Sequence, residues 1–120
     1  MTIYQTKLRE LEQRTIDFSV AVINRCGKFS RIPALKPAID QLIRSATSIG
    51  ANYAEANNAS SKSDFKNKIF IAKKEAGETK YWLRVLSELQ PSEDFSDLHQ
   101  EALELTLIFQ KIISTMKNGK

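Results

Sequence analysis

Residues 36–59 read KPAIDQLIRSATSIGANYAEANNA, and this stretch decides the fold. Its apolar residues recur every three or four positions, which is the period of one face of an α-helix. Pro37 suits the first turn of such a helix, where its missing N–H leaves no bond unmade. The predicted core stripe consists of Ile39, Leu42, Ile43, Ala46, Ile49, Gly50, Tyr53 and Asn57. The stretch therefore predicts one long amphipathic helix.

The same period recurs on both sides of this stretch and predicts four helices in all. They cover about residues 3–29, 36–59, 64–89 and 96–117. Pro33 and Pro91 lie in the breaks, and Ser63 before Asp64 is the predicted N-cap of the third helix. Long helices joined by short loops favour an antiparallel up-down bundle. The predicted fold is all-α, with one four-helix-bundle domain over residues 1–120.

Composition excludes several classes of protein. The 120 residues are 42% hydrophobic and 27% charged, which is typical of a globular domain and too apolar for a disordered chain. No apolar run approaches the ~20 residues of a membrane span, and the first residues do not read as a signal peptide. The single cysteine, Cys26, excludes an internal disulfide. We therefore expect a cytoplasmic protein with no membrane association.

Charge is distributed unevenly along the chain. Residues 1–84 carry 15 Lys and Arg against 8 Asp and Glu, whereas residues 85–120 carry 3 against 6. A basic body with an acidic last quarter indicates either a polyanionic partner or charge complementarity between copies of the chain. An unevenly charged, solvated surface is the third alternative.

The predicted helices carry large apolar side chains outside their core stripes, and the second helix has an outer face of small or hydrogen-bonding side chains. Outside their core stripes lie Ile16, Val20, Ile23, Phe70, Ile71, Tyr81, Trp82, Val85, Leu103 and Leu107. The outer face of the second helix consists of Gln41, Arg44, Ser45, Ser48, Asn52 and Glu55. Apolar patches of this size mark interfaces, and small polar side chains suit close helix approach. The predicted oligomer interface consists of Arg44, Ser48, Asn52, Glu55, Ile71, Glu78 and Trp82; a solvated face is the alternative.

Basic residues form one edge of the third helix, at spacings of four or seven residues. This edge consists of Lys62, Lys66, Lys73, Lys80 and Arg84, and the first helix adds Arg14 and Arg25. On one copy such residues are typical of a solvated flank, but a ring of copies would present a positive belt to nucleic acid. The sequence has no recognition-helix signature and no aromatic-rich platform for single strands, so sequence-specific binding is not expected.

Catalytic and metal sites are not indicated. His99 is the only histidine, so the Glu-x-x-His pattern of di-iron bundles is missing, and we expect no metal and no cofactor. Cys26 lies on an apolar stripe with no histidine nearby and reads as an inert buried thiol. Glu55 and Glu78 are expected to be hydrogen-bonded or ion-paired in the subunit interface, with Arg44 or a lysine as candidate partner. Isolated glycines inside helices, Gly50 and Gly77, predict close backbone packing. The chain is predicted not to be an enzyme.

Two motifs resemble a known family. Residues 41–56 read QLIRSATSIGANYAEA, and residues 73–83 read KKEAGETKYWL after Asp64-Phe65. In this order they are similar to the motifs of the bacterial four-helix-bundle proteins first noted as reading frames in intervening sequences of large-subunit ribosomal RNA genes. The resemblance covers about residues 8–115.

The resemblance implies a left-handed up-down bundle that assembles into a ring, typically a homopentamer, with no established enzymatic activity. The family includes or closely neighbours the accessory variability proteins of diversity-generating retroelements, which are basic pentamers that bind nucleic acid and a reverse transcriptase.

Two functions stay open at this point. The first is a homo-oligomeric, pentameric accessory protein that binds RNA or DNA non-specifically, or partners a reverse transcriptase or another RNA-handling enzyme. The second is a structural or protein-interaction ring with no nucleic-acid role.

Overall fold

The computed structural model describes residues 1–119, and these residues form four long α-helices and no strand. The helices are α1 (Ile3–Cys26), α2 (Lys36–Asn57), α3 (Lys62–Leu89) and α4 (Ser96–Gly119). Two short 3-10 turns, Gly27–Phe29 and Pro33–Leu35, connect α1 to α2. The predicted all-α bundle is thereby confirmed, and no helix of the described residues is both long and apolar enough to cross a membrane.

The helix ends differ from the prediction for local reasons. Thr2 and Gln5 form a capping box at the start of α1, each side chain bonding the backbone of the other. At the start of α3 the cap is Ser61, whose hydroxyl accepts a bond from the Asp64 backbone N–H. The predicted cap, Ser63, is wrong and lies inside the first turn, so α3 begins two residues earlier than expected. Asp64 still supplies the favourable negative charge of that turn.

Each helix packs against its neighbours in sequence, as in an up-down bundle. The α2–α3 contact is the most extensive, followed by α3–α4 and α1–α2. The α1–α4 contact is much sparser, although it closes the bundle. The long axis of the molecule measures 48 Å, which fits helices of 22 to 28 residues laid side by side.

The core runs the length of the bundle. Tyr53 and Phe109 pack with ring centroids 6.0 Å apart, between layers of buried leucine, isoleucine and alanine. Gly50 lies where α2 crosses α1, since an added Cβ would come within 2.8 Å of the Thr15 hydroxyl oxygen. The predicted close packing is confirmed for Gly50. It is wrong for Gly77, where an added Cβ would meet nothing within 4 Å.

Other side chains also depart from the helical-wheel prediction. Ser45 was expected on the outer face of α2 but is fully buried, and it accepts a 3.0 Å bond from the Thr79 hydroxyl. Trp82 was placed outside the core and instead packs partly against it. Asn57 was placed on the core stripe and is exposed, because α2 ends there. Each difference arises from the position of a neighbouring helix or of a helix end, which the apolar period of a single helix does not predict.

Candidate nucleic-acid interface

The predicted basic edge lies on α3 along its contact with α4. Lys73 identifies this side of α3, because its ammonium group donates to the side-chain oxygen of Gln110 on α4. Lys66, Lys73 and Lys80 are half-buried and spaced seven residues apart, which is two helical turns or about 10.5 Å. We call Lys62, Lys66, Lys73, Lys80 and Arg84 the α3 basic row. The structure brings these five predicted residues together.

The α3 basic row has no acidic partner among residues 1–119. Every ion pair that the described residues form involves another cation. A half-buried lysine usually packs its apolar stem along the protein surface and keeps its ammonium group in water. A row of positive charges is therefore left for a partner outside the chain.

Arg14 and Arg25 lie on the other side of α4, where α1 meets it. The Arg14 guanidinium makes a bidentate bond to Glu101, at 2.6 and 2.7 Å, and a third bond to Glu104 at 2.7 Å. Arg25 pairs with Asp97 at 2.7 Å, and this bond lowers the pKa of that carboxyl. These two arginines are separated from the α3 basic row and their charge is used within the chain. We therefore remove them from the predicted nucleic-acid site.

These pairs give the acidic residues of the last quarter of the chain a structural role. Asp97, Glu101 and Glu104 of α4 each hold an arginine of α1. The acidic side chains of α4 thus strengthen the sparse α1–α4 contact within one chain.

A second polar cluster joins α2 to α3 on the outside of the bundle. Arg44 bonds Glu75 at 3.2 Å and also pairs with Glu78, which lowers the pKa of the Glu78 carboxyl. The Trp82 indole N–H donates to Glu78 at 3.2 Å. The partners of Glu78 and Glu55 are thus Arg44 and a lysine, since Lys68 pairs with Glu55 at 2.9 Å, while the predicted place of these pairs in a subunit interface stays a prediction. All of these contacts form within one chain.

The seven residues of the predicted oligomer interface lie on the outside of α2 and α3. Arg44 and Glu55 are exposed, and Ser48, Asn52, Ile71, Glu78 and Trp82 are half-buried. Ser48 donates to the Arg44 carbonyl, and Asn52 donates to the Ser48 carbonyl, each one turn earlier. The polar members therefore have partners inside the chain, so their polarity alone does not require a neighbouring subunit.

An exposed row of aliphatic side chains lies on α1. Ile16, Val20 and Ile23 are exposed along one side of this helix. Their row leads into a groove of about 480 Å³ between the end of α1 and the start of α2. The groove is lined mainly by apolar residues, including Ile23, Phe29, Ile32, Pro33, Ile39 and Ile43. Sequence reasoning found the α1 residues but missed the groove, because the turns between α1 and α2 shape it.

Nothing in the described residues favours catalysis. Cys26 is buried, and this burial raises the pKa of its thiol to about 11, so the reactive thiolate is scarce near neutral pH. Residues 1–119 contain no group of three or more His, Cys, Asp or Glu side chains placed to hold a metal ion.

The fold and its surface charges define a class: four-helix-bundle proteins with a basic row on the third helix. A crystal structure of a protein of unknown function from the S23 ribosomal protein family of Bacteroides thetaiotaomicron is similar, with a TM-score of 0.79 and 33% identity. The similarity covers 85% of this chain and 96% of that one. No curated protein matches the chain.

The family follows from the sequence match. The family model of the 23S rRNA-intervening sequence proteins matches residues 9–111, which is most of the chain. The chain belongs to the 23S rRNA-intervening sequence protein family.

Proposed function

We propose that this chain is a non-enzymatic accessory protein that binds RNA without sequence preference and acts as a homo-oligomer. One observation carries the RNA part: the α3 basic row has no acidic partner in residues 1–119, whereas the carboxylates of α4 are paired with α1. The family context of ribosomal RNA intervening sequences supports RNA as the polyanion.

The physics of the row sets the expected binding behaviour. Each lysine that neutralises a phosphate releases a counterion, so affinity falls as salt rises. A single row spans about 33 Å along α3, from Lys62 to Arg84, and offers few contacts. Several copies in one oligomer would add their rows and raise the avidity without any new kind of contact. We therefore expect weak binding by one chain and strong, salt-sensitive binding by the oligomer.

The RNA proposal is tested by replacing Lys66, Lys73 and Lys80 with glutamine, which removes charge and keeps a long side chain. Binding of a labelled RNA is measured by filter retention at low and moderate salt. We expect the triple variant to lose affinity roughly 100-fold at low salt. The slope of log affinity against log salt should fall by about 2.

The matched control replaces Lys7, Arg9 and Arg31 with glutamine. These three residues are exposed on α1 and on the connection from α1 to α2, and their loss changes the net charge by the same amount. The control should bind RNA nearly as well as the wild type. Equal losses of RNA affinity in the two variants would mean that RNA responds to the net charge and not to the α3 basic row. Wild-type protein that retains no RNA at low salt would overturn the proposal.

The homo-oligomer rests on two different surfaces of the chain. Rings form when one patch of a subunit meets a different patch of the next. The exposed α1 row with its groove and the outer α2–α3 face are two such patches. Replacing Ile16, Val20 and Ile23 with serine should reduce the mass seen by sedimentation to that of one 13.6 kDa chain. A wild-type chain that already sediments as a monomer at micromolar concentration contradicts this part.

The second candidate function is an interaction ring with no nucleic-acid role. The apolar groove favours it, because a surface of this kind suits a protein partner. An oligomer that retains no RNA at any salt concentration would select this candidate over the first.

A further inference from the structure

Two aromatic side chains stand beside the α3 basic row on its solvent side. Phe70 is 42% exposed, although phenylalanine is among the residue types most often buried, and Tyr81 is 60% exposed. By helical geometry they are rotated roughly 70° from the lysines and lie about 16 Å apart along the axis. The outer face of α3 thus carries a row of positive charges and, next to it, two exposed aromatic rings.

Gly77 lies between these two features and has no packing role within the chain. Glycine inside a helix is unfavourable relative to alanine, and at Gly50 the close approach of Thr15 explains it. At Gly77 an added Cβ would reach open space, so no contact in the described residues requires a glycine there. The residue lies four positions from Tyr81 and seven from Phe70, on the same face of α3. Here an outside molecule can approach the helix backbone closely.

Tyr81 is held in place from behind. Its ring makes an edge-to-face contact with Trp82, with centroids 5.0 Å apart. Trp82 packs partly against the core, and its indole N–H donates to Glu78, which Arg44 holds in turn. The polar cluster between α2 and α3 therefore positions an exposed ring. A ring held this way loses little freedom when another flat group stacks on it.

We propose that the outer face of α3 binds single-stranded RNA, with bases stacked on Phe70 and Tyr81 and phosphates along the α3 basic row. The strand runs along α3 and passes over Gly77, where the missing side chain leaves room. This inference rests on the proposed RNA-binding function and names its substrate class. Unpaired bases have free faces for stacking, whereas the bases of a duplex are already stacked inside it.

A second copy of the chain is the competing occupant of this face. It would need a row of carboxylates to answer the lysines, and those of α4 are held by Arg14 and Arg25 of their own chain. The exposed acids that form no ion pair in the described residues, such as Glu10 and Glu88, are scattered over different helices and do not make such a row. A phosphate backbone supplies the missing negative charge directly. Charge complementarity therefore favours the nucleic acid over the sister subunit.

The test compares two RNAs by fluorescence anisotropy: an oligouridylate of about 20 nucleotides and an RNA duplex of the same length. The variant replaces Phe70 and Tyr81 with leucine, which keeps the surface apolar and removes the rings. We expect it to bind the single strand roughly 10- to 100-fold more weakly and the duplex nearly as well as the wild type. Replacing the exposed Tyr4 of α1 with leucine is the matched control and should change neither affinity.

Two further variants test the roles of the aromatic rings and of Gly77 separately. Exchanging the rings, with Phe70→Tyr and Tyr81→Phe, should preserve single-strand binding. Gly77→Ala should weaken single-strand binding several-fold while it raises the denaturation midpoint, a combination that a purely structural glycine would not produce.

The outcomes separate this inference from the function on which it rests. Wild-type protein that binds neither RNA overturns both. If the leucine variant binds the single strand as tightly as the wild type while the lysine variant does not, only the stacking proposal fails. If the leucine variant changes the sedimenting mass but not the RNA affinity, the face belongs to a sister subunit and the stacking proposal fails as well.

Discussion

The two helices on either side of α4 both carry cations along it, but only the cations of α1 have acidic partners. On the α1 side, Arg14 and Arg25 meet carboxylates at 2.6 to 2.7 Å. On the α3 side, Lys73 meets only the neutral amide of Gln110, and its row has no acid partner in the described chain. One flank therefore uses its charge to hold two helices together, and the other presents its charge outward. The comparison shows that the partners of a cation, more than the number of cations, separate those that hold helices together from those available for the proposed RNA contact.

The largest expected effect tests this division directly. Replacing Arg14 and Arg25 with glutamine should lower the free energy of unfolding by about 1 kcal/mol, since the ion pairs are only partly buried. It should leave RNA affinity within about twofold, because these charges are already neutralised. The lysine variant should show the reverse, with RNA affinity lost roughly 100-fold and stability unchanged. Urea denaturation and filter retention on both variants provide the measurements.

If the arginine variant lost RNA as severely as the lysine variant, the α1–α4 arginines would belong to the binding surface after all. Sedimentation of both variants guards against an indirect effect, because a change of oligomer size would alter avidity in either case.

The two helix glycines repeat the comparison at the scale of one residue. Gly50→Ala places a methyl group within 3.0 Å of Thr15 atoms, so we expect a loss of about 1–3 kcal/mol in the free energy of unfolding. Gly77→Ala places it in open space and should gain up to about 1 kcal/mol from helix propensity. Thermal or urea unfolding of the two variants gives the signs. A loss at both positions would mean that α3 is packed against something at Gly77.

The sequence alone predicts the helices well, because their apolar period persists over many turns. It places α1, α2 and α4 within about three residues of their bounds and misplaces the start of α3, where Ser61 and Ser63 are equally plausible caps. Only the path of the loop decides between them. Ser45 illustrates the same limit, since its burial depends on the position of Thr79 on another helix.

The candidate site is less predictable than the fold. The lysine spacing identifies a row on α3. The sequence does not predict which cations form ion pairs, because ion pairing depends on the distances between helices. Arg14 and Lys73 are indistinguishable as residue types on helical edges, and only the neighbouring α4 side chain separates them. Likewise Phe70 and Tyr81 read as interface aromatics, and their place beside free lysines emerges once α3 is packed.

Acid should weaken the paired flank before it affects the row. Asp97 and Glu104 of α4, and Glu78 of α3, have their pKa values lowered by bonds from neighbouring groups, arginines among them. A carboxyl whose pKa is lower in the folded state adds stability above its unfolded pKa, and this stability is lost as pH falls. We expect the urea midpoint to hold from pH 7 to about 6 and to fall between about pH 5 and 3.

The arginine variant is the control for this prediction, because it lacks the partners of Asp97 and Glu104. Its urea midpoint should fall less steeply over the same pH range. An equally steep fall in the variant would assign the acid sensitivity to carboxylates elsewhere in the chain.

The smallest expected effect comes from giving a lysine of the α3 basic row an acidic partner on α4. Gln110→Glu places a carboxylate where Lys73 already bonds, so the lysine gains the kind of partner that Arg14 has. RNA affinity should fall about threefold, in keeping with an exposed ion pair, while stability is kept or slightly raised. Thr115→Glu adds the same charge to an exposed position of α4 away from Lys73, and it should change RNA affinity less. Equal effects of the two substitutions, measured by filter retention at low salt, would show that RNA responds to net charge and not to whether Lys73 has a partner.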